Sequence, residues 1–325
     1  MFSDIEKKQL LKLNHTLSRK IKIGLADTGH PQSKMFQKFC DNLAQLVPKI
    51  RIAKEDGSPQ QPPQILIGNG LRYQALPGGL EMPPFIEALE ALGSEPIQIS
   101  ESIKSRLKEN NLPATLTVFM ASQCTYCPQV ISQLIPLSMI EAGVQLIVID
   151  GTLFPEAAQI HQIQSVPTIL LDKQFRWTGL VPLDEIIDAI CTRNPVLLGT
   201  TSLESILNDG QASHLAAIML DAQEIIPSIY ELLIHDKWSV RLGAMVVMEE
   251  IAEKNPRMAA EAIDPLWAHF EEVADQVKGD ILYLFGEIGD PRVIPWLDEV
   301  TAGEFDAEVK EAAKEALEKL AEMDT

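Results

Sequence analysis

The sequence predicts an α/β body that carries one structural unit twice, followed by an all-α array of helical repeats. Three observations predict it. Residues 1–195 switch repeatedly between period-two and helical apolar spacing. Two segments in them align at an offset of 104: Pro63-Gln-Ile-Leu-Ile with Pro167-Thr-Ile-Leu-Leu, and Leu71-Arg72-Tyr73 with Phe175-Arg176-Trp177. From residue 196 onward alternation stops, and three helical segments recur at spacings of 37 and 32 residues.

Each element of the first body follows from local pattern. Residues 3–17 have helical spacing, and residues 20–26 alternate like a strand. Residues 31–47 read as a helix with proline at its opening, and residues 49–54 as a short strand. Residues 64–67 and 71–76 form a strand pair across Gly68-Asn69-Gly70, a hairpin signal. Helices are predicted over 83–92 and 102–110. The pattern then restarts: strand 115–120, helix 127–142, strand 144–150, strands 168–171 and 175–179, helix 183–190. The unit is β-α-β, a hairpin and a closing helix, expected to cover a central sheet on both faces.

In the second body, the segments opening at Val240-Arg241, Val277-Lys278 and Val309-Lys310 align. Pro227, Pro265 and Pro295 stand 13, 12 and 14 residues before the next of these valines. Each repeat is thus a helix pair, and residues 202–235 read as a degenerate opening repeat. Trp238, Met248, Phe285 and Trp296 sit at helical spacing and are expected in the core. Helix pairs of this period resemble HEAT-like repeats, which implies a solenoid offering a surface rather than catalytic chemistry.

Charge separates the two bodies. The 325 residues hold 27 Lys+Arg against 46 Asp+Glu, a net −19. Residues 196–325 contain 27 acidic and 9 basic residues, whereas residues 1–195 contain 19 and 18. The change falls at Asn194-Pro195, a chain break because the residue before proline avoids helical angles. The expected domains are therefore 1–110, 111–195 and 196–325. The charge argues against nucleic acid and anionic membrane as partners. No run approaches the roughly 18 apolar residues of a membrane helix, and the first residues lack the apolar core of a signal peptide. A cytoplasmic location is expected, where four cysteines serve chemistry rather than stapling.

Cys124-Thr125-Tyr126-Cys127-Pro128 follows a predicted strand and opens a predicted helix. Two intervening residues put both sulfurs within one turn, where a disulfide can close. Unpaired N–H groups and the positive dipole end favour thiolate there. Thiol pKa values in such motifs fall from about 8.5 to roughly 3.5–7.5. The first cysteine is expected to attack and the second, a turn inward, to resolve the mixed disulfide. Pro128 loses no needed hydrogen bond just inside the helix. Zinc would need two further ligands. Cys40 and Cys191 are isolated and read as free buried cysteines, and the six histidines show no paired-ligand spacing, so no metal is expected. Gly68-Asn69-Gly70 has Tyr73 where a third glycine would stand, so it is not a phosphate-binding turn, and the chain is not expected to take electrons directly from a nicotinamide.

This strand, the two cysteines and the helix, followed by Ser165-Val166-Pro167-Thr168 before a strand, resemble the thioredoxin superfamily. The doubled unit, with a cysteine pair only in its second half, is similar to the N-terminal domain of the alkyl hydroperoxide reductase flavoprotein subunit. It is also similar to the doubled protein disulfide oxidoreductases of prokaryotes. Val148-Ile149-Asp150-Gly151 and its spacing to Val166-Pro167 fit the former, and the likeness covers about residues 1–192. The resemblance implies α/β tandem thioredoxin folds. It implies a cis Pro167 against the cysteine pair, with Val166, Thr125 and Tyr126 beside it contacting substrate. It further implies a protein thiol–disulfide oxidoreductase whose only redox group is a Cys124–Cys127 disulfide, either relaying electrons to a peroxiredoxin or acting as a protein disulfide reductase or isomerase.

Val118 stands where thioredoxins carry a buried acid. In the flavoprotein domain the acid comes from a Gly-x-Glu segment of the first unit, which Gly79-Leu80-Glu81 matches. The implied role of Glu81 is to shuttle the proton of Cys127. Asp27-Thr28-Gly29-His30-Pro31 occupies the corresponding turn of the first unit without a thiol, and His30 reads as a loop histidine. The implied partners are a protein thiol or disulfide, such as a peroxiredoxin, and a separate flavoenzyme reductant. The alternative is a redox-sensing interaction protein in which the acidic array docks a partner, basic by complementarity, and the cysteine pair is a switch.

Overall fold

The computed structural model describes residues 2–57, 61–94, 98–110, 113–140, 143–172 and 175–323. The chain divides into two units, Met1–Arg193 and Asn194–Thr325.

The first half of the first unit contains α1 (Asp4–Thr16), β1 (Ile21–Asp27), α2 (Ser33–Leu46), β2 (Ile50–Asp56), β3 (Gln64–Ile67), β4 (Leu71–Gln74) and α3 (Met82–Gly93). After α4 (Glu101–Asn110) come β5 (Ala114–Met120), α5 (Cys127–Met139), β6 (Val144–Asp150), α6 (Pro155–Ile160), β7 (Thr168–Leu171), β8 (Phe175–Thr178) and α7 (Leu183–Thr192). One mixed sheet takes the order β2-β1-β3-β4-β6-β5-β7-β8, so the strand order of the first half is repeated in the second. Parallel pairing of β4 with β6, Leu71 opposite Leu146, joins the halves.

Several boundaries move. The second strand of the first hairpin stops at Gln74 rather than 76. α5 ends at Met139, and residues 141–142 of the predicted helix lie outside the described residues. α6 is an addition to the predicted elements. The hairpins keep the offset of 104, but the opening strands β1 and β5 start 93 apart, and α6 with its flanks takes up the difference.

That insertion decides how the sheet is covered. Ile23, Ile65, Tyr73, Val118, Val148, Ile169 and Trp177 are buried on one face, beneath helices that pack on one another: α1 on α2 and α3, and α3 on α5. On the other face the Arg176 guanidinium donates to the carbonyls of His161 and Gln162, just after α6. The first half has no counterpart of α6 among its described residues. Lys22 is exposed there, and Leu66 and Arg72 are half-buried. The expectation of a sheet covered on both faces therefore applies to the second half alone.

Gly70 sits at the seam between the halves. Its carbonyl accepts from the Leu146 N–H at 2.8 Å. A Cβ there would lie 2.2 Å from the Ser138 carbonyl oxygen, so only glycine permits this approach.

The second unit is helical throughout: α8 (Thr200–Asn208), α9 (Ala212–Ala222), α10 (Ser228–Leu233), α11 (Trp238–Lys254), α12 (Pro256–Ala259), α13 (Ile263–His269), α14 (Asp275–Ile288), α15 (Ile294–Ala302) and α16 (Ala307–Met323). α11 packs on α10 and α14, and α14 on α16. Val240, Ala244, Val247, Met248 and Ile251 bury one face of α11, and Val277, Ile281, Leu284, Phe285 and Ile288 the equivalent face of α14. Trp267 stacks on Trp296 at 4.8 Å, with Phe285 against both rings. Met248 and Phe285 are wholly buried, but Trp238 is 60% exposed, which corrects its assignment to the core. It stands at the first residue of α11, open to solvent. No helix of the described residues is long and apolar enough to cross a membrane.

Arg241 is 2% exposed and ties this unit together. Its Nε donates to Asp280 Oδ2 at 2.6 Å, and one terminal nitrogen donates to the carbonyls of His235 and Asp236. Arg241→Ala strands the Asp280 charge and both carbonyls, so urea unfolding is expected to register a loss of about 3–5 kcal/mol. Asp280→Asn on that background should recover part of it.

Candidate functional site

β5 delivers the chain to the site. Beyond Met120 the Cys124 N–H donates to the Ala121 carbonyl at 2.9 Å, a turn that leads into α5. Cys127 is the first residue of α5, and its N–H donates to Cys124 Sγ at 3.0 Å. The two cysteines form a disulfide, with Cα atoms 5.5 Å apart. Cys124 is half-buried and Cys127 wholly buried, so a reactant can reach one sulfur only. The Cys127 N–H and the α5 dipole both stabilise negative charge on Cys124 Sγ once the bond is reduced. Thr125 and Tyr126 are exposed beside it.

The Val166–Pro167 peptide bond is cis. The Val166 carbonyl oxygen lies 3.7 Å from Cys124 Sγ. This loop is anchored from both sides: the Gly179 N–H donates to the Pro167 carbonyl at 2.8 Å, and Thr168 Oγ1 donates to the Ser165 carbonyl at 2.8 Å. Thr125, Tyr126, Val166 and Pro167 thus gather around the two sulfurs. Val118 is buried in β5 and has no proton to exchange.

Glu81 lies in the interior, 2% exposed, at the end of a short 3-10 turn, Gly79–Glu81, which packs against α5. Neither carboxyl oxygen has a hydrogen-bond partner among the described residues. Burial, and then the negative charge of Asp150, raise its pKa from 4.5 to about 7. The wholly buried Tyr73 hydroxyl also lacks a partner among the described residues, and burial followed by the Glu81 and Glu87 charges pushes its pKa well above 10.

Two residues of this arrangement are not predicted from the sequence. Glu6 closes a capping box with Ser3 and also accepts the Gly79 N–H at 2.6 Å, clamping the turn that carries Glu81. Burial alone would raise the Glu6 pKa, but its hydrogen bonds from Gly79 and Ser3 outweigh that and lower it. Gly79 itself has φ of 56°, a conformation glycine adopts without strain. Asp150, at the end of β6, accepts from the Thr152 and Leu153 N–H groups, which hold its charge in place. Ser3-x-x-Glu6 is a legible capping signal, but nothing local ties it to Gly79.

The other singled-out residues lie apart from this chemistry. His30 accepts from the Gln32 N–H through Nδ1 and packs edge-on against Phe154 at 5.4 Å. Cys40 is buried in α2, and burial followed by the Asp41 charge pushes its pKa up to about 12. Cys191, only half-buried, lies outside any disulfide at the end of α7.

A family model described as a thioredoxin domain matches residues 114–192. The alkyl hydroperoxide reductase F subunit of Pseudomonas aeruginosa is 25% identical over 166 residues, covering 50% of this chain and 32% of that one. Its namesake in Xanthomonas campestris pv. phaseoli is 24% identical over 191 residues, 57% of this chain and 36% of that one. The chain thus spans about a third of the length of these curated relatives. The crystal structure of the NTD_N/C domain of alkylhydroperoxide reductase from Enterococcus faecalis superposes with a TM-score of 0.52 at 23% identity, over 58% of this chain and 100% of that one. Residues 114–192 are therefore a thioredoxin domain, set in a unit that has the fold of that reductase domain.

Proposed function

We propose that the chain is a protein thiol–disulfide oxidoreductase whose only redox group is the Cys124–Cys127 pair. One observation carries the reading: a reachable sulfur at a helix N-terminus, bonded to a buried one, beside the cis Val166–Pro167 bond. In the reducing direction the Cys124 thiolate attacks a partner disulfide. The partner S–S bond breaks, a mixed disulfide forms, and one partner thiolate leaves and takes a proton. Glu81, as carboxylate, accepts the proton of the Cys127 thiol. The Cys127 thiolate then attacks Cys124 Sγ, closes the internal disulfide and releases the second partner thiol. Two electrons and two protons have passed to the partner. A second dithiol, such as that of a separate flavoenzyme, restores the pair by the reverse exchange. Val166 and Pro167 orient the partner backbone, and Thr125 and Tyr126 line its approach.

The name shared by the relatives supports a peroxide-reducing partner, a peroxiredoxin, as the electron acceptor. Cys40 and Cys191 outside any disulfide are compatible with a reducing cytoplasmic setting. The helical unit reads as a HEAT-like array that binds a protein, and its charge favours a basic one. Reduction of insulin by dithiothreitol tests the enzymatic reading: the chain is expected to accelerate it catalytically. A reducible 124–127 bond without turnover would overturn that reading in favour of a redox-controlled docking protein.

A further inference from the structure

We propose that the exposed face shared by α11, α14 and α16 docks a basic amphipathic segment of a protein partner. This rests on the reading of the helical unit as a partner-binding array, and it assigns the surface and the residues. Trp238, Leu242 and Tyr283 are the apolar anchors, and Glu311, Glu315 and Glu318 form the acidic rim.

The repeat brings these positions together. Spacings of 37 and 32 residues make Leu242, Gly279 and Glu311 equivalent, and likewise Val246, Tyr283 and Glu315. On α11, residues 238, 242 and 249 lie on one stripe by helical spacing. Trp238, Leu242 and Tyr283 are 60%, 40% and 45% exposed. One exposed apolar side chain needs no explanation, but three on adjoining helices form a patch. Nothing stands within 4 Å of where a Cβ on Gly279 would sit, so the backbone of α14 is open to a ligand between Leu242 and Tyr283. Burial, and then the Glu249 and Glu287 carboxylates, push the Tyr283 pKa up to about 12, so its hydroxyl end lies toward acidic side chains of both α11 and α14.

The same face turns acidic on α16. Glu311, Glu315 and Glu318 follow at helical spacing and are all exposed. Among the described residues Glu311 pairs with Lys314, while Glu315 and Glu318 have no ion-pair partner. Charge chooses the occupant. Residues 196–325 carry 27 acidic and 9 basic residues, so a second copy brought face to face would meet like charge. A segment with apolar residues along one side and Lys or Arg along the other satisfies both halves of the face, as helices do in apolar grooves.

The test uses the full chain and a fluorescent synthetic Lys/Leu amphipathic peptide, with its Glu/Leu counterpart as control, followed by anisotropy. The Lys/Leu peptide is expected to bind, more weakly as salt rises, and the Glu/Leu peptide not to. Trp238→Ala with Tyr283→Ala should weaken binding at least about tenfold, as should Glu315→Lys with Glu318→Lys. Both should leave the circular dichroism melt and insulin reduction unchanged. Glu271→Lys with Glu272→Lys alters net charge equally at an exposed turn and should bind nearly as the parent. Equal weakening by that pair, or no effect of the aromatic pair, would show binding that follows net charge alone and overturn the face. Absence of any Lys/Leu binding would instead overturn the partner-binding reading of the array. A dimer in sedimentation, lost on Trp238→Ala, would make the face a self-contact and reject the proposal.

Discussion

Cys124→Ser abolishes disulfide exchange, and Cys127→Ser stops it one step later, with the partner still attached. The difference follows from burial and the helix start. Cys124 Sγ is the reachable sulfur, and it accepts the Cys127 N–H at 3.0 Å. A serine hydroxyl there keeps the hydrogen bond but stays protonated, since neither one N–H nor the α5 dipole can lower an alcohol pKa far enough. Turnover in insulin reduction should fall by at least about a thousandfold. Cys127→Ser keeps the attacking thiolate but removes the sulfur that expels the partner, so a mixed disulfide through Cys124 accumulates. Mass spectrometry under non-reducing conditions reads it as a covalent adduct, and digestion identifies the partner cysteine. Adducts through Cys191 or Cys40 instead, or turnover by Cys124→Ser within a few-fold of the parent, would move the chemistry away from this pair.

The sulfur chemistry is legible in the sequence and its proton chemistry largely hidden, for a physical reason. A cysteine pair between a strand and a helix is a local pattern, and so is the proline, aliphatic and aromatic signature of each hairpin. α6 has six residues, too few for apolar periodicity to register, so the insertion that covers half of one sheet face leaves no sequence signal. Helical spacing puts Trp238 in the core because α11 is apolar nearly all round: Val240, Leu242, Met245 and Val246 point in different directions, and spacing alone cannot select the buried side. Glu81 is harder still. A glutamate at a helix start ordinarily faces water and favours the dipole. The turn that buries it is clamped by a hydrogen bond between Glu6 and Gly79, 73 residues apart, and its proton affinity depends first on that burial and then on Asp150. Only the resemblance of Gly79-Leu80-Glu81 to a known segment points to it.

Glu81→Gln is expected to remove a pH dependence that the native chain carries in two independent measurements. The folded chain holds the Glu81 proton up to a pKa of about 7, because burial and the Asp150 charge both oppose ionisation, whereas the unfolded chain releases it near 4.5. Below 4.5 both states are protonated and the side chain costs nothing by ionisation. Between these values the folded state binds more protons, so stability falls as pH rises through the window. Above about 7 the loss is complete, about 3 kcal/mol at about 1.4 kcal/mol per pKa unit. Glutamine has the size of the protonated acid and never ionises. Urea unfolding of Glu81→Gln should therefore lose this component, and the variant should exceed the parent by up to about 3 kcal/mol near pH 8. Function should move the opposite way. Without a carboxylate to accept the Cys127 proton, resolution of the mixed disulfide slows and its rise with pH near 7 flattens, while the first attack by Cys124 keeps its rate. Flattened stability with an unchanged resolving step would leave Glu81 as a buried acid with no part in proton transfer. An unchanged stability profile would mean that the carboxyl keeps its ordinary pKa in the folded chain, which makes it too weak a base to take the Cys127 proton near pH 7.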